Sequence, residues 1–289
     1  MSKKTKTYVA IVLDRSGSMH TISEEAVAGY NEHIRKFKEN TEEQDVKVSL
    51  VTFNSDVFEH YWLENVENVE TANQADYNPD GLTAMLDAMG YTIDKLEEST
   101  NPNDEDNAYL VITISDGREN ASKHVSRSHL ASRISALQKT GRWTFTYMGC
   151  SASDLEEVAR STGIPLANCA MWSNATKGTA NAAYGASASA ADKYLKHRVR
   201  AAKAGGVARG IHTSSLNFYS DDAAKCADFT APVGDADPIG PLYVAPPASV
   251  SVPRGMDNFA RTGKIEVPEA NTDGVNVFSS VKKPVTWKS

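Results

Sequence analysis

Short apolar runs rich in β-branched and aromatic residues recur along the first two thirds of the chain and predict buried β-strands. They lie at residues 8–13, 46–53, 109–114 and 143–148, with a weaker run at 164–171. The first and third runs are almost continuously apolar, as expected of parallel strands that are covered on both faces. Residues 57–63 follow a tight turn after the second run, and this short connection predicts an antiparallel edge strand.

Amphipathic segments separate these runs and predict helices. Their apolar residues recur three and four positions apart, which places them on one side of a helix: Val27, Tyr30, Ile34 and Phe37; Met85, Met89, Ile93 and Leu96; and Leu130, Ile134 and Leu137. Ser153 and Glu156 have the spacing of a capping box, and Gly163 is the expected end of that short helix. An Ala-rich segment at 179–203 predicts the last helix, whose basic end, including Arg198, suits the helix dipole.

This alternation predicts an α/β domain at residues 5–203. We expect a doubly wound, mostly parallel sheet with one antiparallel edge strand and helices on both faces. Ligands of such sheets bind beyond the carboxyl ends of the strands, where the strand order reverses. Any binding site is therefore expected just after residue 13, around residues 81–83 and just after residue 114.

Residues 204–289 differ in character and predict an irregular C-terminal extension. Pro, Gly and Asp interrupt its short β-like pieces, and no helical period runs through it. The extension is nevertheless rich in aromatic residues for a linker: Phe218, Tyr219, Phe229, Tyr243, Phe259, Phe278 and Trp287. Two interpretations stay open, a flexible tail and a segment that becomes ordered by wrapping over this domain or over a partner.

Composition narrows the class of partner. The chain is 40% hydrophobic and 23% charged, and its net charge of −7 argues against general nucleic-acid binding, which needs a basic surface. Three cysteines without a paired spacing favour a reducing compartment, so a cytoplasmic location is expected, or a virion if the protein is viral. The apolar run at 8–13 is too short for a secretion signal or a membrane span, so no membrane association is predicted.

Side chains with oxygen ligands follow the predicted strand ends. Asp14, Ser16 and Ser18 leave the first strand at alternate positions. Asp116 follows the third apolar run after one residue, Ser115, and Thr83 precedes the second predicted helix. Mg²⁺ prefers oxygen ligands in a near-octahedral array and usually keeps some of its waters. The pattern therefore predicts a site for a hard cation at this edge of the sheet.

At these positions the chain resembles a known family. Asp14-Arg15-Ser16-Gly17-Ser18 is similar to the Asp-x-Ser-x-Ser loop of von Willebrand factor A domains. Gly81-Leu82-Thr83 and Ser115-Asp116-Gly117 are similar to the other two metal loops of that family, in the same order. The resemblance covers roughly residues 5–203, and it implies a metal-ion-dependent adhesion site that holds Mg²⁺, or else Mn²⁺ or Ca²⁺.

The resemblance also implies how the ion is used. Ser16, Ser18 and Thr83 would bind it through hydroxyl oxygens, whereas Asp14 and Asp116 would contribute carboxylates, at least partly through water. Few anions then touch the ion directly, and one coordination position is open to an Asp or Glu of a partner protein. The surrounding residues expected to contact this partner are Arg15, Met19, His20, Gly81, Leu82 and Arg118.

The expected function is therefore that of a non-enzymatic, intracellular, divalent-metal-dependent protein-binding module. One alternative is a structural component of a larger assembly, such as a viral particle, whose C-terminal extension makes the main contact with a further protein. A less favoured one is a metal-dependent phosphatase, because a strand that ends in Asp14-x-x-Gly17 is similar to phosphatases of the haloacid dehalogenase type. Those enzymes need a second carboxylate as general acid at the place of Ser16.

Overall fold

The computed structural model describes residues 4–172, 179–204, 218–219, 243–244, 277–278 and 283–287. The strands within these residues are β1 (Thr5–Asp14), β2 (Gln44–Phe53), β3 (Val57–Asn65), β4 (Asn107–Ile114), β5 (Trp143–Gly149), β6 (Cys169–Met171) and β7 (Tyr243–Val244). They form one sheet in the order β3-β2-β1-β4-β5-β6-β7. Every neighbouring pair is parallel except β2 and β3. The predicted fold class, including its antiparallel edge strand, is confirmed.

The described helices cover both faces of this sheet. They are α1 (Ser23–Lys38), α2 (Met85–Ser99), α3 (Arg127–Lys139), α4 (Ala152–Thr162) and α5 (Thr179–Lys203). Short 3₁₀ turns lie at Gly17–Ile22, Val66–Asn68, Gln74–Asp76 and Leu166–Asn168. Helices α1 and α5 share one apolar core with the sheet, and α2, α3 and α4 share the other. Each helix in the described part of the chain is too short or too polar to cross a bilayer.

Strand β1 contributes to both cores. Val9, Ile11 and Leu13 pack on the side of α1, while Ala10 and Val12 pack on the side of α2. Successive side chains of a strand point to opposite faces, so a strand covered on both sides is apolar at nearly every position. Because β1 lies between β2 and β4, the strand order reverses beside its carboxyl end. A ligand is expected at that crevice.

Two local predictions were wrong. Helix α4 begins after Ser151, whose hydroxyl accepts a hydrogen bond from the Asp154 N–H, and Ser153 lies within its first turn. The N-cap is therefore Ser151 instead of the predicted Ser153. Gly163 ends the helix, as predicted, in the left-handed region (φ 75°). The weak apolar run at 164–171 is a strand in its last part alone, because Leu166–Asn168 forms a 3₁₀ turn.

Arg198 of α5 has a structural role that the helix-dipole interpretation missed. It is fully buried, and its guanidinium donates to the Lys6 carbonyl (2.5 Å), the Thr7 hydroxyl (2.7 Å) and the Asp106 carbonyl (2.7 Å). Burial lowers the pKa of this guanidinium from its usual value. The side chain joins α5 to the starts of β1 and β4, at the end of the sheet opposite the predicted site.

Described pieces of the C-terminal extension pack on the α/β domain. Phe218 and Phe278 are buried in the core beneath α1 and α5. Val285 donates its N–H to the Val57 carbonyl of β3 (2.9 Å), and Trp287 packs beside α2. Phe229 and Phe259 lie outside the described residues. The division of the chain at residue 203 stays a prediction.

Candidate metal centre

Three loops meet at the edge of the sheet where β1 and β4 end. Loop 1 (residues 14–18) leaves β1, loop 2 (residues 80–83) leads into α2, and loop 3 (residues 115–125) leaves β4. They carry the predicted ligands, which are Asp14, Ser16, Ser18, Thr83 and Asp116. These loops meet beyond the carboxyl ends of the strands, where a binding site was expected.

Loops 1 and 3 are in direct contact through their polar side chains. Ser16 N donates to Asp14 Oδ1 (2.6 Å), and the hydroxyls of Ser16 and Ser18 are 3.2 Å apart. Ser18 Oγ donates to Asp116 Oδ1 (2.6 Å), while Ser115 Oγ donates to Asp14 Oδ2 (2.5 Å). Ser115 belongs to the motif quoted above but was given no role there; in the structure its hydroxyl bonds to the second oxygen of the Asp14 carboxylate.

Oxygens from loops 1 and 2 converge beside Gly117 of loop 3. The position that a Cβ would occupy on Gly117 lies 3.1 Å from Thr83 Oγ1, 3.4 Å from Ser18 Oγ and 3.9 Å from Asp14 Oδ2. A side chain at Gly117 would therefore project among the ligand oxygens. The small residue keeps this cradle open.

Backbone hydrogen bonds join loop 1 to loop 2. Asp80 N donates to the Arg15 carbonyl (2.8 Å), and Gly17 N donates to the Gly81 carbonyl (3.1 Å). Gly81 has a φ of +79°, and a Cβ there would lie 2.9 Å from Ser55 Oγ. Glycine is required at this turn because both the backbone conformation and the space disfavour a side chain.

Loops 2 and 3 are joined by side chains that cap backbone groups. Asn120 Oδ1 accepts from Thr83 N (2.9 Å), and Asn120 N and Ala121 N donate to the Thr83 carbonyl (3.0 and 3.2 Å). The Asp87 carboxylate of α2 accepts the N–H groups of residues 123–125 at 2.8–2.9 Å. Glu119 in turn accepts an N–H from the first turn of α2 (2.9 Å). These reciprocal caps fix Thr83 relative to loop 3.

The supporting residues were missed by the sequence analysis. Asp87 lies in the first turn of α2, where an acidic side chain is ordinarily explained by the helix dipole. Tyr77 donates its hydroxyl to the Asp14 carbonyl, and the Cys150 thiol donates to the Asp116 carbonyl (2.9 Å). These contacts join residues far apart in sequence, so spacing alone carries no signal of them.

Burial governs the electrostatics of the two carboxylates. Asp14 is fully buried, and desolvation raises its pKa to about 7, with a further contribution from the negative charge of Asp116. Hydrogen bonds from Ser115 and Ser16 act in the opposite direction. Burial also raises the pKa of Asp116. Burial thus disfavours the anionic form of the buried Asp14 and of the half-buried Asp116, and a cation between the two carboxylates would relieve this cost.

The donor set fits a hard divalent cation. It consists of carboxylate and hydroxyl oxygens, which suit Mg²⁺, Mn²⁺ or Ca²⁺ better than soft metals. Among the described residues no group of three or more His, Cys, Asp and Glu side chains could hold a metal ion. That result agrees with this composition, because the site has two carboxylates and its other candidate ligands are hydroxyls.

The predicted partner-contact residues differ in accessibility. His20, Gly81, Leu82 and Arg118 are exposed beside the loops. Leu82 is 54% exposed and is the sole exposed large hydrophobic side chain in the described part of the chain.

The other two predicted contacts are less accessible: Arg15 is half-buried, and Met19 is buried. The Arg15 guanidinium donates to the Asn78 carbonyl (3.3 Å) and lies over the Phe58 ring. Met19 is fully buried in the core beneath α1, so its side chain anchors the 3₁₀ turn after loop 1 and is inaccessible to a partner.

The fold and the three loops define an α/β domain with an oxygen-lined crevice at its switch point. The sequence model of the von Willebrand factor type A domain matches residues 9–180. The chain therefore belongs to the von Willebrand factor type A domain family. No curated protein matches the chain by sequence.

Solved structures show weaker likenesses. A von Willebrand factor type A protein from Catenulispora acidiphila is 12% identical, with a TM-score of 0.45, and the match covers 65% of this chain and 43% of that one. Proximal thread matrix protein 1 from the mussel byssus, with a zinc-occupied adhesion-site motif, is 18% identical with a TM-score of 0.34. That match covers 52% of this chain and 37% of that protein. The chain spans less than half the length of these structures, so the assignment rests on the family match.

Proposed function

We propose that this chain is a divalent-metal-dependent protein-binding module. In this proposal Asp14, Ser16, Ser18, Thr83 and Asp116 hold the ion, which offers an open coordination position to an Asp or Glu of the partner. The observation that carries the proposal is the convergence of oxygens from loops 1 and 2 beside Gly117 of loop 3, where Ser18 Oγ also bonds to Asp116 Oδ1 and Asp14 is fully buried. Mg²⁺ is the favoured ion because all candidate ligands are oxygens, and Mn²⁺ or Ca²⁺ would suit the same donors.

The chain's own residues supply the rest of the proposed interface. Thr83 is held by loop 3 and Asp14 by Ser115, so the ligands are positioned before a partner arrives. Leu82 offers an apolar contact beside the ion, and apolar residues next to a charged centre exclude water from it. Arg118 is exposed and forms an ion pair with Asp154 (2.7 Å), so it can also reach an acidic partner.

Binding without turnover is part of the proposal. Ser16 occupies the place where an aspartyl phosphatase needs a second carboxylate as general acid, and its hydroxyl cannot release a proton near neutral pH. Release of phosphate from an aryl phosphate by the chain, lost in Asp14→Asn, would contradict this. A location inside the cell is also proposed, and it rests on the odd number of cysteines in the sequence and on their lack of a paired spacing.

The experiment is a partner capture in Mg²⁺ and in EDTA, with Asp116→Asn as the test variant. Asp56→Asn is the matched control, because Asp56 is an exposed carboxylate in the turn after β2, at the same edge of the sheet. We expect capture by the unchanged chain and by the control in Mg²⁺ alone, and none by Asp116→Asn. Capture that persists in EDTA and in Asp116→Asn would contradict a metal-bridged contact.

The assembly-component alternative places the main contact in the C-terminal extension. Phe278 and Phe218, two of its aromatic residues, are buried in this domain and are therefore not available to a partner. The observation favours the metal site over the described part of the extension as the binding surface. Capture by the intact chain that survives EDTA would return the alternative to first place.

A further inference from the structure

We propose that two aromatic residues of the C-terminal extension, Phe278 and Trp287, are positioning residues of the metal centre. Phe278 supports loop 1 through Tyr77, and Trp287 supports loop 3 through His124. This inference rests on the proposed metal site. It gives the described part of the extension a role in metal affinity, in addition to its contribution to the core.

Phe278 fills a socket made of aromatic side chains. It is 1% exposed, and its ring centroid lies 5.2 Å from that of Tyr77, 5.5 Å from Tyr30 and 5.9 Å from His60. Edge-on and tilted ring pairs at these separations are favourable. Since Tyr77 is itself buried, Phe278 forms one wall of the space that fixes the Tyr77 ring.

Tyr77 carries this contact to loop 1. Its hydroxyl donates to the carbonyl oxygen of Asp14, the residue at which β1 ends and loop 1 begins. The same residue presents its carboxylate to the crevice beside Gly117. A shift of the Tyr77 ring would therefore move the backbone of a proposed ligand. Phe278 therefore acts on the ion indirectly, through Tyr77 and then Asp14.

Trp287 makes the corresponding contact with loop 3. Its ring stacks on His124 with a centroid distance of 4.4 Å and an interplanar angle of 14°, and it meets Tyr91 of α2 edge-on at 6.2 Å. His124 N donates to Asp87 Oδ1 (2.9 Å), within the caps that hold loop 3 on α2. The stacked indole therefore covers the part of loop 3 that these caps tie to α2.

The two contacts reach the site from opposite faces of the sheet. Phe278 belongs to the core beneath α1, whereas Trp287 packs against the core beneath α2. Between them in sequence, Val285 N bonds to the Val57 carbonyl at the start of edge strand β3 (2.9 Å). The extension thus supports loops 1 and 3, the loops that carry Asp14 and Asp116.

Residues that orient metal ligands from behind change metal affinity by about 10–100-fold when they are mutated. Tyr77→Phe removes the hydroxyl alone, so we expect Mn²⁺ to bind about 10-fold more weakly to this variant. The matched control is Tyr61→Phe. The Tyr61 hydroxyl bonds to that of Tyr30 (2.8 Å), in the same aromatic neighbourhood but without contact to a metal loop.

The test measures Mn²⁺ affinity of the full chain by calorimetry, at a temperature where circular dichroism shows every variant folded. We expect weaker binding for Tyr77→Phe, Phe278→Ala and Trp287→Ala, unchanged binding for Tyr61→Phe, and recovery in Trp287→Phe, which keeps a ring to stack on His124. A purely structural role would lower the melting temperature and leave the affinity unchanged.

Two results would overturn the inference. In the first, the unchanged chain binds Mn²⁺ and the Tyr77, Phe278 and Trp287 variants bind it equally well; the metal site would then stand without its C-terminal support. In the second, Tyr61→Phe loses as much affinity as Tyr77→Phe, which would indicate a general loss of stability. Absence of Mn²⁺ binding by the unchanged chain would instead overturn the proposed function, and this inference with it.

Discussion

Replacing Asp14 by Asn separates the charge of this residue from its shape. The amide is nearly isosteric with the carboxylate, and its oxygen can still accept the Ser16 N–H that now bonds to Asp14 Oδ1 (2.6 Å). The amide nitrogen can donate to Ser115 Oγ, since a hydroxyl can turn from donor to acceptor. The variant therefore removes a buried charge and keeps the hydrogen-bond network.

The size of the effect follows from the pKa of Asp14. Burial raises this pKa from an ordinary 3.8 to about 7 in the metal-free fold, so the folded chain holds the proton more tightly than the unfolded chain between these values. The free energy of unfolding therefore falls as pH rises through this window, by up to about 4 kcal/mol at pH 8. Asn bears no such cost, so in EDTA at pH 8 Asp14→Asn is expected to be more stable than the unchanged chain. Near pH 4 the difference should almost vanish.

Metal binding should offset part of the stability advantage that Asp14→Asn has in EDTA. A ligand at 100 times its dissociation constant stabilises the fold by about 2.7 kcal/mol. Mg²⁺ at that level should raise the free energy of unfolding of the unchanged chain by that amount, and leave Asp14→Asn unaffected. The stability gap in EDTA should therefore narrow when Mg²⁺ is added.

Urea unfolding followed by circular dichroism, at pH 4.5 and pH 8 with EDTA or Mg²⁺, measures these differences. The control Asp56→Asn removes an exposed carboxylate and should track the unchanged chain throughout. The reasoning fails if Asp14→Asn is the less stable protein in EDTA at pH 8, or if its advantage is equally large at pH 4.5. If Mg²⁺ stabilises Asp14→Asn as much as the unchanged chain, Asp14 is not a ligand of the ion.

Three further predictions concern other parts of the molecule. Gly117→Ala would place a methyl group 3.1 Å from Thr83 Oγ1, so calorimetry should show weaker Mg²⁺ binding with little change in melting temperature. Equal affinity would show that the ion does not bind beside Gly117. Burial lowers the pKa of His33 from 6.5 to about 4, so the unfolded chain takes up the proton first and unfolding free energy should fall by up to about 3 kcal/mol as pH drops from about 6.5 to 4. His33→Gln should lose less over that range in urea titrations, and an identical loss would contradict this assignment. Arg198→Met leaves two carbonyls and a hydroxyl without their donor, so unfolding free energy should fall by about 2–4 kcal/mol while Mg²⁺ affinity stays the same.

The sheet and the place of the site could be read from the sequence because both depend on local patterns. A strand covered on two faces has to be apolar at nearly every buried position, and residues 8–13 of β1 and 108–112 of β4 meet that requirement. The carboxyl ends of parallel strands share one edge of the sheet, so residues that follow β1 and β4 have to meet. The structure brings the predicted oxygens together, and their binding of a metal stays a prediction.

The residues that support the ligands could not be predicted from strand patterns or strand ends. An acidic residue in a first helical turn, such as Asp87, is ordinarily explained by the helix dipole, and Met19 was expected at the surface because it follows loop 1. The contacts of both residues become known from the tertiary fold alone. Arg198 was explained by the helix dipole because it lies in a basic helix end, but its guanidinium donates to backbone carbonyls at two strand starts. Polar residues of this kind are explained by the acceptors that surround them rather than by their spacing.

The extension illustrates the same limit most clearly. Its composition left two interpretations open, a flexible tail and a segment that wraps over this domain or over a partner, because Pro and Gly interrupt its apolar pieces and no helical period runs through it. A single aromatic residue can nevertheless fill a socket that the domain provides, as Phe278 does between Tyr30 and Tyr77. Isolated anchors of this type need no periodicity, since each one packs against side chains already ordered by the sheet. Phe278 contacts Tyr77, which bonds to Asp14 at the start of loop 1, and Trp287 stacks on His124 of loop 3. This placement connects the least regular part of the sequence to the loops that carry the proposed ligands.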